Sequence, residues 1–142
     1  MTETLRNELL HFLVSFALTI AFSSQLGFIT SFGICFSFGF FLDLDHLFDY
    51  GLYLKNHQKH FNIKDFLSGK HFAKTHKIFV LLHSWELVIF LWIPYLYFGE
   101  IAFWAASLAL FSHLVVDQVT NKVYLLSYSL LYRLRTNFKH NC

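Results

Sequence analysis

Four runs of apolar residues, each nearly long enough to cross a membrane, limit the folds that this sequence can adopt. They cover residues 9–24, 28–46, 78–98 and 101–117. A helix needs roughly 20 predominantly apolar residues to cross the hydrocarbon core of a bilayer. Of all residues, 56% are hydrophobic and only 14% are charged, which is typical of an integral membrane protein. We therefore expect a single all-α domain, a polytopic membrane helical bundle with about four transmembrane helices plus interfacial helices.

The first apolar run has a competing interpretation as a signal peptide. The residues before it carry Glu3 and Glu8 against one arginine, and no A-x-A cleavage site follows it. A signal peptide requires a basic leader and such a site. We therefore expect an uncleaved first span.

The positions of the basic residues predict the topology. All 11 Lys and Arg residues lie before the first run, in residues 51–77, or in the tail after residue 117. Because basic loops stay in the cytoplasm, this side and both termini are predicted to be cytoplasmic. Residues 51–77 also alternate Lys with apolar residues, which predicts a basic amphipathic segment lying on anionic membrane lipids. The tail is predicted to form an interfacial helix. A solvated loop remains the alternative for residues 51–77; no nucleic-acid partner is predicted, and the oligomeric state stays open.

A cluster of ionisable residues lies at the end of the second predicted span, directly after its apolar residues 28–42, in the segment Asp43-Leu44-Asp45-His46-Leu47-Phe48-Asp49. Charged side chains at this depth are costly and are rarely placed there without partners. On a helix, Asp45, His46 and Asp49 share one face. Carboxylates and imidazoles together suit a divalent cation. A polar helix end among lipid headgroups is the alternative for this segment taken alone.

The other runs carry ionisable residues at the same predicted end of the membrane: His11, His83 with Glu86, and His113 with Asp117. His113 and Asp117 are four residues apart and therefore share a helix face. A single buried histidine is commonly a packing residue. Carboxylates gathered from several helices repel one another, however, and a divalent cation offsets that repulsion. The sequence therefore predicts a metal site where the spans meet the cytoplasm.

These residues carry a resemblance to a known family. The motifs are an early histidine (His11), D-x-D-H (Asp43 to His46), a His-Ser pair (His83-Ser84) and H-x-x-x-D (His113 to Asp117). With them the chain resembles the membrane-bound, metal-dependent hydrolases of the bacterial inner membrane, and its H-x-x-x-D spacing is similar to that of the zinc-dependent phospholipase C and P1 nuclease group. Two features depart from the family: Phe41-Leu42 replaces the usual proline before D-x-D-H, and two extra residues separate His76 from His83.

The resemblance implies a metal-dependent hydrolase in the bacterial inner membrane. It implies a divalent metal, with zinc the first choice, and a phosphoester or lipid-headgroup substrate at the cytoplasmic face. The expected metal ligands are His11, Asp45, His83, His113 and Asp117. The expected catalytic residues are Asp43, His46 and Glu86, which would act as base, bridge a second ion or orient the ligands. Whether His76 and Asp49 belong to the site stays open.

Two other functions remain compatible with the sequence. A transporter would need polar residues along the whole bundle, whereas here they stop at one end. A non-catalytic membrane protein could use a closed metal site for structure, or dock a partner on its basic face.

The topology can be tested with reporter fusions. We expect fusions at Lys64 and Lys139 to report the cytoplasm and a fusion at Glu100 to report the opposite side. An external position for residues 55–74 would overturn the topology and the predicted meeting of the ionisable residues.

Overall fold

The computed structural model describes residues 3–67, 80–121 and 125–138. Every regular element in these ranges is a helix. The α-helices are α1 (Glu3–Leu26), α2 (Phe28–Gly39), α3 (His46–His57), α4 (Ile63–Leu67), α5 (Trp85–Phe98), α6 (Ile101–Asn121) and α7 (Leu130–Arg135). Two 3₁₀ helices cover Phe41–Asp45 and Leu125–Tyr128. The all-α prediction is thus confirmed over the described residues.

Two helices are long and apolar enough to cross a membrane, within α1 (Leu5–Leu26) and within α6 (Ile101–Thr120). A third candidate consists of α2 together with Phe41–His57, which are bent by 51° relative to each other. The described residues therefore contain two candidate spans, or three if the bent pair forms one. The length and composition of these helices are consistent with association of the chain with a membrane, and the finer prediction of four spans is not established.

The expected span over residues 78–98 contains a shorter helix. Helix α5 begins at Trp85 and has 14 residues, and residues 80–84 before it are not helical. Ser84 ends this irregular segment because its hydroxyl accepts a hydrogen bond from the backbone N–H of Leu87, the usual N-cap arrangement. Residues 78 and 79 lie outside the described residues. The non-helical segment places His83 just before α5.

The second apolar run is also interrupted, at the junction between α2 and the first 3₁₀ helix. Helix α2 ends at Gly39, and the chain continues as Phe41–Asp45 before α3 starts at His46. If the helix continued straight through residue 46, the acidic residues would lie along the axis of α2. The break instead turns the chain by 51° at the position where Asp43 and Asp45 follow.

The bundle is built from α1, α2 and α6, with α5 packed against α6. Small residues lie where the helices meet: Cys35 of α2 and Ala105 and Ala109 of α6 are fully buried. Small side chains let membrane helices approach closely. Large apolar side chains such as Ile29, Leu96 and Val119 are exposed on the outside. Such an outer surface suits contact with lipid rather than water.

The described part of the basic segment, residues 51–67, covers the second half of α3, then α4 and the residues between them, and residues 68–79 lie outside the described chain. Lys59 and Lys64 are exposed, together with Phe61 and Ile63, which keep 60% and 61% of their surface accessible. Exposed lysines beside exposed apolar side chains fit the expected position at a membrane surface.

Helices α1 and α2 lie close together at Gly39. A Cβ atom added to Gly39 would lie 2.4 Å from the Ser15 hydroxyl oxygen. We expect Gly39→Ala to lower the free energy of unfolding by about 1–3 kcal/mol through overpacking. Thermal unfolding in detergent would measure this. Gly33→Ala is the matched control, because nothing lies within 4 Å of its added Cβ. The loss should shrink in a Ser15→Ala background, and an equal loss there would contradict the proposed clash.

Candidate metal centre

Three separate parts of the fold bring ionisable side chains to one point. Asp43 comes from the first 3₁₀ helix, His83 from the segment before α5, and His113 and Asp117 from α6. One donor atom from each lies within 4.8 Å of the others. A second group, formed by Asp45, His46 and His83, satisfies the same criterion. The described residues therefore contain a buried His/Asp cluster that could hold a metal ion.

The His83 ring is oriented by Asp45. Its Nδ1 lies 3.0 Å from Asp45 Oδ1, and the other Asp45 oxygen accepts a hydrogen bond from the Leu82 backbone N–H at 3.1 Å. A carboxylate acceptor assigns the proton to Nδ1 of the neutral ring and leaves a lone pair on Nε2. His83 Nε2 therefore faces the four-residue group as a potential ligand atom.

The His113 ring is oriented by the backbone. Its Nδ1–H donates to the Gly39 carbonyl oxygen at 2.9 Å, which again leaves Nε2 with a lone pair. The Nε2 atoms of His83 and His113 lie 3.0 Å apart. Two lone pairs at this distance repel each other unless a proton or a cation lies between them. The geometry therefore calls for a positive charge at this point.

Two carboxylate oxygens face the same point. Asp43 Oδ1 lies 3.2 Å from His83 Nε2 and 3.6 Å from His113 Nε2. Asp117 Oδ2 lies 3.7 Å from His83 Nε2 and 3.4 Å from His113 Nε2. The four donor atoms are thus two nitrogens and two oxygens.

His11 supports this set from outside it. The His11 ring is 1% exposed and stacks on the His113 ring with centroids 4.1 Å apart. Its Nε2–H donates to Asp117 Oδ1 at 3.2 Å, and the Asn7 amide lies 3.5 Å from the same oxygen. These contacts hold one oxygen of Asp117 and leave the other facing the site. We predicted His11 as a ligand, but the structure gives it the position of a residue that orients a ligand.

The two aspartates of the D-x-D-H motif lie in different groups, Asp43 in the four-residue group and Asp45 in the second one. We predicted Asp45 as a ligand and Asp43 as a catalytic residue. Asp43 supplies an oxygen to the four-residue group, while Asp45 is engaged with Leu82 and His83. His46 lies beside the group, with its Nε2 3.5 Å from Asp43 Oδ1. Asp49 is buried in α3 and belongs to neither group.

Glu86 lies in neither group. Its carboxylate accepts hydrogen bonds from the Ser129 hydroxyl at 2.6 Å and from the backbone N–H groups of Leu130 and Leu131 at 2.9 and 3.1 Å. These are the first N–H groups of α7, which lack partners within the helix and attract a negative charge. Glu86 therefore caps α7, and its expected catalytic role stays a prediction.

Sequence reasoning missed Glu8. The buried face of α1 carries His11, Ser15 and Thr19 at four-residue intervals, and Glu8 continues it one turn earlier. The half-buried Glu8 carboxylate interacts electrostatically with Asp43, His113 and Asp117. This spacing was available in the sequence and indicates that Glu8 faces the cluster. The contact of Asn7 with Asp117, by contrast, has no sequence signal.

The carboxylates of Asp43 and Asp45 favour a positive charge at the His83 ring. Burial acts to lower the pKa of His83, but the hydrogen bonds with Asp43 and Asp45 outweigh it and raise the pKa above its ordinary value. The ring therefore holds a second proton readily when no metal is bound. Binding of a divalent cation would displace that proton, as is usual for histidine ligands.

The cluster is buried on most sides and opens at one. The side chains of His83 and His113 have no exposed surface and that of Asp117 has 5%, whereas Asp43 keeps 27% and His46 keeps 24%. Access from outside is therefore along the first turn of α3.

Comparison with protein-family models, with curated proteins and with solved structures finds no match to this chain. The family resemblance drawn from the short motifs stays a prediction. His76 lies outside the described residues.

Metal analysis of purified variants would test the cluster. We expect Asp117→Asn and His113→Ala to lose most of the bound divalent metal, because each removes a donor atom. Asp45→Asn should weaken binding less, by about 10–100-fold, because it disturbs only the orientation of His83. His57→Ala is the control, since His57 is exposed at the end of α3. Equal metal content in all four variants would show that the cluster is not the binding site.

Proposed function

We propose that this protein is a membrane-embedded, metal-dependent hydrolase that acts on a phosphoester or lipid-headgroup substrate. One observation carries the proposal: the lone pairs of two oriented imidazoles and two carboxylate oxygens face one point. The location that fits the sequence is a bacterial inner membrane, with the site on the basic, cytoplasmic side.

The donor set favours zinc. Nitrogen and oxygen ligands bind zinc at about 2.0–2.1 Å in a tetrahedron, whose edges are then about 3.3 Å long. Five of the six edges between donor atoms run from 3.0 Å between the two Nε2 atoms to 3.7 Å between His83 Nε2 and Asp117 Oδ2. The sixth, between the Asp43 and Asp117 oxygens, lies within the 4.8 Å that encloses all four donors. Calcium and magnesium prefer oxygen ligands alone, so a site with two imidazole nitrogens is unfavourable for either ion. Only small shifts would seat a zinc ion among these donors.

The surroundings of the four donors support hydrolysis. A structural zinc site needs four ligands, yet Glu8 and His46 lie beside this one as additional ionisable groups. When bound, the metal would supply Lewis acidity and lower the pKa of water toward neutrality. His46 can take up a proton at its ring nitrogen, and its contact with Asp43 holds it next to the donors. We therefore assign His46, rather than Glu86, the role of base.

The opening of the site supports an amphiphilic substrate. Leu44 and Phe48 alternate with the motif residues and are 57% and 58% exposed. These side chains would meet lipid tails while Asp43 and His46 meet the polar headgroup. A phosphoester headgroup carries the negative charge that a bound cation attracts.

A structural metal site is the second candidate. A tetrahedral set of four protein ligands resembles closed structural zinc sites more than catalytic ones, which keep a position for water or substrate. The partial exposure of Asp43 supports the catalytic site over the structural one, because an exposed carboxylate can be displaced by substrate.

The hydrolase proposal is tested with zinc-loaded protein in lipid and a panel of phosphoester substrates. We expect the wild-type protein to hydrolyse at least one of them. We expect His46→Gln to keep its zinc and lose activity by about 10²–10⁴-fold, the usual contribution of a general base. His57→Gln should keep both. A wild-type protein that holds zinc but hydrolyses nothing would favour the structural site, and one that binds no zinc would contradict both candidates.

A further inference from the structure

The C-terminal segment, residues 125–138, contacts the segment that carries His83. We propose that Arg133 is a positioning residue for the metal ligand His83, and that docking of the C-terminal segment and metal binding therefore strengthen each other. This inference rests on the metal binding proposed above, and it concerns residues that take no part in the donor set.

Arg133 holds the His83 segment by its backbone. The Arg133 side chain is 4% exposed, and its two terminal nitrogens donate to the carbonyl oxygens of Val80 and His83. One planar guanidinium thus joins both ends of a four-residue stretch, which a lysine ammonium cannot reproduce. The ring of His83 is held from the other side by Asp45. Backbone and ring of the ligand are therefore fixed by different partners.

The His83 segment needs such support because it is not helical. Residues 80–84 lack the regular backbone hydrogen bonds of the helices around them. Without the guanidinium, the carbonyl groups of Val80 and His83 would lose buried hydrogen bonds, which is unfavourable. A ligand atom must also stay within about 0.5 Å of its productive position. Movement of this segment would therefore move His83 Nε2 away from the other three donors.

The buried charge of Arg133 is balanced by the same acidic region. Its guanidinium interacts electrostatically with the carboxylates of Asp45, Glu86 and Asp49. A buried charge is tolerated when partners of opposite sign surround it. The C-terminal segment thus contributes a cation to a region rich in carboxylates.

The residues around His83 also stabilise the C-terminal segment. Helix α7 has 6 residues, too few to be stable alone. Glu86 caps its N-terminus, and the Tyr128 ring stacks on the His83 ring with centroids 6.2 Å apart and planes inclined by 28°. The C-terminal segment is therefore ordered by the residues that it helps to position. Coupling between two such events is reciprocal, so metal binding must stabilise the docked segment by the same factor.

The first experiment measures zinc affinity by competition with a chromogenic chelator. We expect Arg133→Ala to bind zinc about 10–100-fold more weakly than wild type, the usual effect of removing support for a ligand. Arg133→Lys should recover only part of this loss. Arg135→Ala is the matched control, because Arg135 lies two residues further along α7 and is exposed. In cobalt-substituted Arg133→Ala, the visible absorption of a tetrahedral site should weaken, which a loss of overall stability alone would not cause in folded protein.

The second experiment needs no substitution. Trypsin treatment of wild-type protein should cut at Arg135 more slowly when zinc is present. Unchanged affinity and spectrum in Arg133→Ala, or no zinc-dependent protection of the wild-type tail, would overturn the coupling.

A third measurement separates this inference from the proposed function. Modification of histidines by diethyl pyrocarbonate in metal-free protein should spare His83 in wild type and Arg135→Ala and reach it in Arg133→Ala. If wild-type protein binds no zinc, the proposed metal function is wrong. The protection of His83 from modification then still tests whether Arg133 positions this residue. Equal protection in all three proteins would contradict that role.

Discussion

The close approach of the His83 and His113 rings is the constraint on which the rest of the site depends. With both Nδ1 atoms committed to acceptors, the 3.0 Å between the Nε2 atoms is unfavourable unless a positive charge lies between them. The carboxylates of Asp43 and Asp117 supply the complementary charge, and they would in turn repel each other without it. Each buried ionisable group at this end of the bundle is therefore acceptable only because the others are present. A membrane environment sharpens this mutual dependence, since water cannot replace a missing partner.

Two interruptions of the helices, after Gly39 and before α5, bring the ionisable side chains together. The bend after Gly39 turns the D-x-D-H motif, and the irregular residues before α5 allow His83 to point at α6. Straight helices would present these residues along separate axes. The breaks leave backbone groups that need partners, and these are provided by His113, Asp45 and Arg133. The hydrogen bonds that stabilise the interrupted backbone are thus the same ones that orient the side chains of the proposed metal site.

The sequence predicted the helical class and the meeting of His83, His113 and Asp117, because apolar runs and i, i+4 spacing are local properties. It did not distinguish the positions of Asp43 and Asp45, which are two residues apart and fall into different groups through the 3₁₀ turn that contains them. It also did not place Glu86 at the N-terminus of α7, because the partners of Glu86 lie 43 to 45 residues away in the chain. Arg133 was expected in an interfacial helix because the apolar run of the tail is short, and its burial against Val80 and His83 was not predicted. Contacts of this kind arise from tertiary packing, and no local pattern encodes them.

The two buried histidines of the candidate site differ in how their orientation is lost. His83 relies on the side chain of Asp45, which a single nucleotide change can remove. His113 relies on the carbonyl group of residue 39, which every amino acid possesses. No substitution at that position deletes the acceptor itself, but a side chain there would press on Ser15, and the carbonyl is then withdrawn if the backbone shifts. The orientation of the two imidazoles is therefore lost by different routes, through removal of a carboxylate for His83 and through displacement of a helix for His113.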